Sequence, residues 1–221
     1  MNTAQVEALR ALLAPTGWLD RTRYFARALR SQARTPNGLL IVGTPAREPW
    51  HMTAHLADES RLADLPGLAP TLVRWAPPAG APPHLRVGID RLERTGRDET
   101  LLVVSGEAAP AALLERIADA RKTGAAIFAI DQGDPELDDL AHESLAVLPA
   151  AAPVTFDGAQ HLVSLAVGET AGRRLAASGP EVDAWQSAEL RSDQQHDEPR
   201  RLRLRSQLAR LLDAISGPAS D

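Results

Sequence analysis

Two histidines and a glutamate recur at helical spacing after the first apolar run of the chain. His51, His55 and Glu59 stand four residues apart, so in a helix their side chains project from one face. Imidazole and carboxylate groups placed in this way can share a metal ion, or can form an acid/base pair in which the carboxylate orients the ring. The alternative is a solvated polar stripe with an ordinary hydrogen bond between successive turns. The spacing alone leaves both interpretations open.

A third histidine lies in a nearly apolar stretch, residues 155–175. An unpaired polar group is costly in such surroundings, so His161 either bonds a backbone carbonyl or faces a cavity. Its neighbour Gln160 lies about 100° away around a helix, and we do not expect the two side chains to serve one small site. Zinc is the metal considered, and its candidate ligands are His51, His55, Glu59 and His161.

Short apolar runs alternate with helical patterns from residue 39 onward, and this alternation predicts the fold. The runs are too uniformly apolar to be half exposed, so they suit central strands of a parallel sheet covered on both faces. They span residues 39–43, 71–75, 100–104, 126–130 and 143–148. The helical patterns between them span residues 46–60, 83–95, 108–123 and 135–142. The sequence therefore predicts an α/β domain with a doubly wound, five-stranded parallel sheet flanked by helices.

The remaining segments predict the organisation around this sheet. Residues 1–38 predict an N-terminal helical pair, over 3–14 and 18–33, that packs on the domain or makes an oligomer contact. The α/β domain itself covers 39–177. A polar, Pro/Gly-punctuated connection follows over 178–199, and an amphipathic C-terminal helix and tail over 200–221.

Two strand-exit turns are the candidate ligand-binding positions. Ligands bind an open parallel sheet beyond the carboxyl ends of its strands, where the strand order reverses. Gly43-Thr44-Pro45 follows the first run and Ser105-Gly106-Glu107 the third, and each is expected to open a helix whose N–H groups and dipole favour an anion. The alternative is that the glycines only permit tight turns.

The charge balance argues against two classes of partner. A formal net charge of -5 gives no overall attraction to nucleic acid or to an anionic membrane surface. No stretch approaches the ~18 consecutive apolar residues of a membrane span, and the N-terminal residues are unlike a signal peptide. The chain also contains no cysteine. We expect a soluble, cytoplasmic protein without nucleic-acid or membrane partners.

Four stretches, taken in order, resemble a known family. They are LLIVG with the following AHLADE, then GRDETLLVVSG, then LLERIADARKTGAAIFAIDQG, and finally DGAQHLVSL. Together they make residues 39–175 similar to the SIS (sugar isomerase) domain, most of all to its phosphoheptose isomerase branch. The resemblance implies a five-stranded parallel sheet that binds phosphorylated sugars at its strand ends. It also implies a homodimer or homotetramer with sites built at subunit contacts.

The resemblance also implies roles for individual residues. His55 and Glu59 match the helix histidine and glutamate that phosphoheptose isomerases use for metal binding and proton transfer, and His161 matches a histidine of the final helix. These groups would suit aldose-ketose isomerisation, which needs a base and an acid. The ligand-binding positions would be those of the two turns and the arginine that follows the first: Gly43, Thr44, Arg47, Ser105, Gly106 and Glu107.

Both turns depart from the isomerase pattern. GTPAR stands where the family has G-x-G-G-S, and SGEAAP stands where it has S-T-S-G-x-S. Hydroxyl groups are lost, Pro110 lacks an N–H donor, and Glu107 brings a negative charge to the phosphate position. Arg47 could pair with a phosphate or with Glu107.

The sequence thus predicts a divergent SIS-fold protein that binds a sugar-phosphate-like or other small anionic metabolite and is non-catalytic or altered in activity. The alternatives are a working phosphosugar isomerase and a structural module that mediates assembly without a ligand.

Overall fold

The computed structural model describes residue 13, residues 16–149 and residues 152–177, the last of these without the side chains of 169–177. The first predicted helix lies almost wholly outside the described residues. The polar connection over 178–199 and the C-terminal segment over 200–221 also lie outside them.

The described chain alternates strands and helices. The helices and strands are α1 (Trp18–Gln32), β1 (Leu39–Val42), α2 (Trp50–Leu62), β2 (Pro70–Val73), β3 (Thr100–Ser105), α3 (Ala111–Lys122), β4 (Ala126–Asp131), α4 (Pro135–Leu140), β5 (Glu143–Ala146) and α5 (Phe156–Ala177). All five strands are parallel and lie in the order β2-β1-β3-β4-β5. The predicted five-stranded parallel sheet of an α/β fold is confirmed.

Helices cover both faces of the sheet, which makes the fold doubly wound. Successive residues of a strand point to opposite faces, so Ile41 and Val104 pack in a core with α1, α2 and α5. Leu40 and Val103 pack on the other face with α3 and α4. The central strands β1 and β3 are buried over their whole length, which explains why they contain no polar alternation.

The strand order reverses between β1 and β3. The chain leaves β1 toward α2 on one face of the sheet, and leaves β3 toward α3 on the other face. Because these two strands are neighbours, their exits diverge and leave a crevice between them. This is the position that the sequence predicts for a ligand.

The prediction of a helix over residues 83–95 is wrong. The segment forms two 3-10 turns, Pro83–Leu85 and Ile89–Arg94, separated by extended backbone at Gly88. Proline supplies no backbone donor at the start of this segment. Gly88 forms a β-bridge with Arg74 beside the edge strand β2, which interrupts the helical spacing of the apolar residues.

Two helices begin later than predicted, which corrects the expectation that both strand-exit turns open directly into helices. α2 begins at Trp50 rather than at 46, and α3 begins at Ala111 rather than at 108. The residue before each of them is a proline, Pro49 or Pro110, and neither helix has a side-chain cap. A loop therefore separates each turn from its helix, and the helix dipole acts on the turns from a greater distance.

The helix α5 closes the first face of the sheet. The hydroxyl of Thr155 accepts a hydrogen bond of 3.0 Å from Gly158 N at its start, as expected for a threonine cap. Its buried residues, Val163 and Val167 among them, pack in the same core as α1 and α2. The apolar surface of this helix is thus covered by other elements of the same chain.

Across the described ranges, no helix is both long enough and apolar enough to cross a membrane.

Candidate functional site

The two strand-exit turns meet in space. The hydroxyl of Thr44, after β1, donates a hydrogen bond of 2.6 Å to the carboxylate of Glu107, after β3. Thr44 is 1% exposed, whereas Glu107 is an exposed residue whose carboxylate reaches back to the crevice. The carboxylate of Glu107 thus accepts the hydroxyl hydrogen that Thr44 provides at the first turn.

Other donors at the two turns are also engaged by the protein. The hydroxyl of Ser105 donates to the backbone carbonyl of Glu107. The backbone N–H of Ala109 donates to the carboxylate of Asp134 at 2.7 Å. Pro110 has no N–H to offer. Each hydroxyl has a single O–H hydrogen, so neither Thr44 nor Ser105 has a second hydrogen for a ligand in this arrangement.

The two turn glycines, Gly43 and Gly106, differ in whether a side chain would fit at their positions. A Cβ at Gly43 would overlap the carbonyl oxygen of Arg47, a backbone atom, and would come within 2.7 Å of Pro49 Cδ. Only glycine fits that close approach. A Cβ at Gly106 would make an ordinary contact of 3.5 Å with the ring of Phe156. The first glycine is therefore required by packing, and the second is not.

Arg47 forms an ion pair with Asp157 rather than with Glu107. Its Nη1 lies 3.5 Å from the Asp157 Oδ1 atom, and both side chains are 59% exposed. Exposed pairs at this distance contribute little free energy. The guanidinium therefore stays available at the mouth of the crevice, with a carboxylate beside it.

A pocket of about 460 Å³ opens beside the turns, between the start of α2, the end of β3 and the start of α5. Its lining residues are Arg47, Glu48, Pro49, Trp50, His51, Ala54, Val104, Asp157 and Gln160. Of the predicted site residues, Arg47 and His51 line this pocket. The turn residues Gly43, Thr44, Ser105, Gly106 and Glu107 lie next to it and are not part of its wall.

One wall of the pocket is held by a compact polar network. The Oε2 atom of Glu48 accepts hydrogen bonds of 2.9 Å from Trp50 Nε1 and from Arg74 Nε. The guanidinium of Arg74 also lies 4.5 Å from the centroid of the Trp50 ring, within cation-π distance. These contacts hold the indole of Trp50, a residue that is 41% exposed, at the pocket rim.

The three histidines singled out from the sequence come together behind the pocket. The rings of His51 and His55 are stacked with centroids 5.5 Å apart, as expected for positions i and i+4 of a helix. His161 of α5 contacts both, with its ring centroid 5.3 Å from His51 and 4.5 Å from His55. His51 joins this cluster to the pocket, while Gln160 lines the pocket itself.

Glu59 lies one turn beyond the histidines and is 9% exposed. Its carboxylate lies against the backbone of Gly168 in α5, where a Cβ would overlap it. A glycine at this position gives the carboxylate room between the two helices.

The candidate zinc ligands do not form a preformed metal site among the described side chains. Within residues 13, 16–149 and 152–168, whose side chains the structure describes, no three histidine, aspartate or glutamate side chains converge on a point where they could hold one metal ion. We therefore derive no chemistry through a metal.

A buried carboxylate lies at the end of the neighbouring strand β4. The Oδ1 atom of Asp131 accepts from the backbone N–H groups of Gly133 and Asp134, while Oδ2 is buried with no partner among the described groups. Burial raises the pKa of Asp131, the two backbone hydrogen bonds oppose this, and the nearby carboxylates Asp138 and Asp134 raise it further.

Several residues of the site were missed by sequence reasoning. The predicted helix over 46–60 places Glu48 and Trp50 in its body, although the Pro-x-x-x-Pro spacing of Pro45 and Pro49 indicates a loop there. Asp157 is not among the predicted site residues. The sequence gives no signal for its pairing with Arg47, because the two residues lie 110 positions apart.

Among the comparisons with known proteins, only the search of solved structures found proteins similar to this chain. No family model and no curated protein matches the chain. A candidate phosphosugar isomerase from Silicibacter pomeroyi is 18% identical, with a TM-score of 0.47, over 77% of this chain and 50% of its own length. The sugar isomerase domain of an RpiR transcription factor from Sphaerobacter thermophilus is 13% identical, with a TM-score of 0.46, over 80% of this chain and 96% of its own.

A second candidate phosphosugar isomerase, from Salmonella typhimurium, is 14% identical, with a TM-score of 0.41, over 75% of this chain and 45% of its own. The chain thus spans about half the length of the two isomerases. One of these neighbours is named as a sugar isomerase domain and the other two as phosphosugar isomerases, in line with the SIS domain that the sequence resembles. The narrower likeness to phosphoheptose isomerases stays a prediction, and no residue role is transferred from structures this distant.

Proposed function

We propose that this protein binds a small carbohydrate derivative at the crevice pocket and does not isomerise it. A sugar phosphate or similar anionic metabolite is the ligand that the sequence resemblance implies. The observation that carries the proposal is the position of the pocket. A cavity of about 460 Å³ lies beside the reversal of strand order, and cavities of about 300–1,000 Å³ are typical of small-ligand sites.

The chemistry of the lining supports binding of a polar organic ligand. An indole, an imidazole and an amide converge there with the guanidinium of Arg47 and two carboxylates. Apolar surface at Val104 and Ala54 completes the wall. Pockets of this kind combine an aromatic surface with a few polar groups that fix orientation.

A thermal-shift panel of sugars and sugar phosphates tests the proposal. A ligand that binds only the folded state at about 100 times its Kd stabilises it by about 2.7 kcal/mol. For a domain of this size that corresponds to a rise in Tm of about 5–10 °C. The shift should be lost in His51→Ala, which changes a pocket residue, and retained in His84→Ala, which changes an exposed histidine that does not line the pocket. A flat response to the whole panel would contradict the proposal.

The second candidate function is aldose-ketose isomerisation. It is favoured by the cluster of His51, His55 and His161 and by the buried carboxylate of Glu59 beside it. These groups could move a proton between adjacent carbons, if a substrate reached them through the pocket. The closed strand-exit turns argue against a held phosphate and hence against efficient turnover.

An NMR assay for sugar-phosphate interconversion separates the two candidates. We expect no turnover by the wild-type protein. Turnover that disappears in Glu59→Gln and persists in the control Glu115→Gln, which changes an exposed residue of α3, would establish the isomerase instead.

The assembly and location of the protein stay proposals. We propose a homodimer or homotetramer, as the SIS resemblance implies, and a cytoplasmic location, as the sequence composition and the N-terminal residues lead us to expect. Sedimentation at several concentrations tests the assembly, and a monomer at all of them would exclude it. Assembly of a protein that binds none of the sugars or sugar phosphates of the thermal-shift panel would instead favour the structural module.

A further inference from the structure

The charged groups of the pocket and of the adjoining turns bear on whether a ligand can carry a negative charge. We infer that the preferred ligand is an uncharged saccharide and that its phosphate ester binds more weakly. This inference rests on the proposed function, since it assumes that the pocket binds a carbohydrate derivative, and it names the class of that derivative.

The turns offer a phosphate few groups to bind. The hydroxyls of Thr44 and Ser105 both donate to Glu107, one to its carboxylate and one to its carbonyl. Asp134 holds the N–H of Ala109 in the same region. A phosphate at this position would have to displace the Glu107 carboxylate from Thr44 or lie beside it as a like charge.

The pocket wall also disfavours an anion. It carries one guanidinium, that of Arg47, and two carboxylates, those of Glu48 and Asp157. Arg47 is paired with Asp157, and Glu48 is paired with Arg74 from outside the lining. Among the described lining residues, a phosphate would meet the Arg47 guanidinium with the Asp157 carboxylate beside it, so the attraction of the one would be offset by the repulsion of the other.

The same wall suits an uncharged polyol. The guanidinium of Arg47 and the carboxylate of Asp157 stand 3.5 Å apart, so one donor and one acceptor are presented together to neighbouring hydroxyl groups. One face of the Trp50 indole meets the Arg74 guanidinium, and the opposite face is the one that could contact the weakly positive C–H groups of a sugar ring. The indole N–H is committed to Glu48, which keeps the indole in place as a rigid platform.

Matched pairs of ligands test the inference by calorimetry on the full chain. The probes are ribose with ribose 5-phosphate, fructose with fructose 6-phosphate, and sedoheptulose with its 7-phosphate. We expect the free sugar of the best-binding pair to bind about tenfold more tightly than its ester, because the phosphate must displace the Glu107 carboxylate from Thr44 or lie beside it as a like charge. An ester that binds as tightly as its sugar, or more tightly, overturns the inference but supports the proposed function. Absence of binding by every probe overturns both.

Variants of the rim locate the binding. Trp50→Ala should weaken the binding of the free sugar about tenfold, and Trp50→Phe should keep most of it, because stacking needs only an aromatic face. Leu62→Ala is the matched control, since Leu62 is also an exposed large apolar residue of α2 and does not line the pocket. Equal affinities in wild type, Trp50→Ala and Leu62→Ala would show that the sugar binds elsewhere and would overturn the inference.

Discussion

The hydroxyl of Thr44 and the carboxylate of Glu107 form a hydrogen bond of 2.6 Å across 63 residues of sequence. It joins the exits of β1 and β3, the two strands between which the strand order reverses. The turn that would be expected to receive an external anion contains instead a carboxylate from the protein itself. Under the proposed function, this contact would connect the fold with the choice of ligand.

A double-mutant cycle should measure this contact. We expect a coupling free energy of about 1 kcal/mol between Thr44→Val and Glu107→Ala in urea unfolding, as for a partly exposed hydrogen bond to a charged group. Thr44→Val also removes the hydroxyl oxygen that accepts a 3.3 Å hydrogen bond from the Arg47 N–H. This loss occurs in the single and in the double variant, so it cancels in the cycle. Glu107→Gln keeps an acceptor oxygen and should retain most of the coupling. A coupling near zero would contradict the bond.

Glu107→Ser should make the crevice a better anion site. The change removes a like charge, frees the Thr44 hydroxyl and adds another hydroxyl donor. We therefore expect inorganic phosphate to bind about tenfold more tightly, an effect on the scale of one charge-assisted hydrogen bond. Calorimetry with phosphate measures it. Glu115→Ser, which removes an equal charge from the exposed face of α3, should leave phosphate binding unchanged. Equal affinities in both variants would count against the position assigned to Glu107.

Gly43→Ala should destabilise the protein. Its Cβ would overlap the backbone carbonyl oxygen of Arg47, and backbone atoms cannot move aside as a flexible side chain can. We expect a loss of about 1–3 kcal/mol in the free energy of unfolding, as for overpacking at a tightly packed position. Gly96→Ala is the control, because a Cβ there meets nothing within 4 Å. Its effect should stay within about 0.5 kcal/mol. Equal effects of the two changes would refute the close approach at Gly43.

Asp131 should make stability depend on pH in a defined direction. Because burial raises the pKa of this carboxyl in the folded protein, its contribution to stability is complete below the ordinary aspartate pKa and is lost as pH rises through the raised value. Asp131→Asn cannot ionise. The free energy of unfolding of the variant, relative to wild type, should therefore increase as pH rises from the acid range toward neutrality.

Urea unfolding at a series of pH values measures this difference. Asp139→Asn, a change at an exposed residue of α4, should give a curve parallel to that of wild type. Parallel curves for Asp131→Asn as well would show that burial does not perturb this carboxyl.

The sheet could be predicted from the sequence because its physical signal is local. Runs such as TLLVV lie inside strands buried on both faces, and their apolar character needs no knowledge of the partner strands. The missing helix over 83–95 shows the limit of this reasoning. Apolar residues there follow a helical spacing, but Gly88 pairs with Arg74 at the sheet edge, a contact that no local pattern reveals.

The candidate site was predicted less completely. The convergence of the two turns follows from strand order, and the His51 and His55 stacking follows from helical spacing. The choice of Asp157 as the partner of Arg47 depends on side-chain geometry between distant elements. The pocket wall at Glu48 and Trp50 depends on where Pro49 delays the start of α2.

The pocket takes its walls from residues 47–54, from Val104 and from the start of α5 at Asp157 and Gln160. During synthesis on the ribosome, the emerging chain would complete β1, α2 and β3 well before the final wall exists. Ligand binding would then begin only after residue 160 has left the exit tunnel. A ligand could stabilise the finished domain, but it could not assist the folding of a shorter nascent fragment.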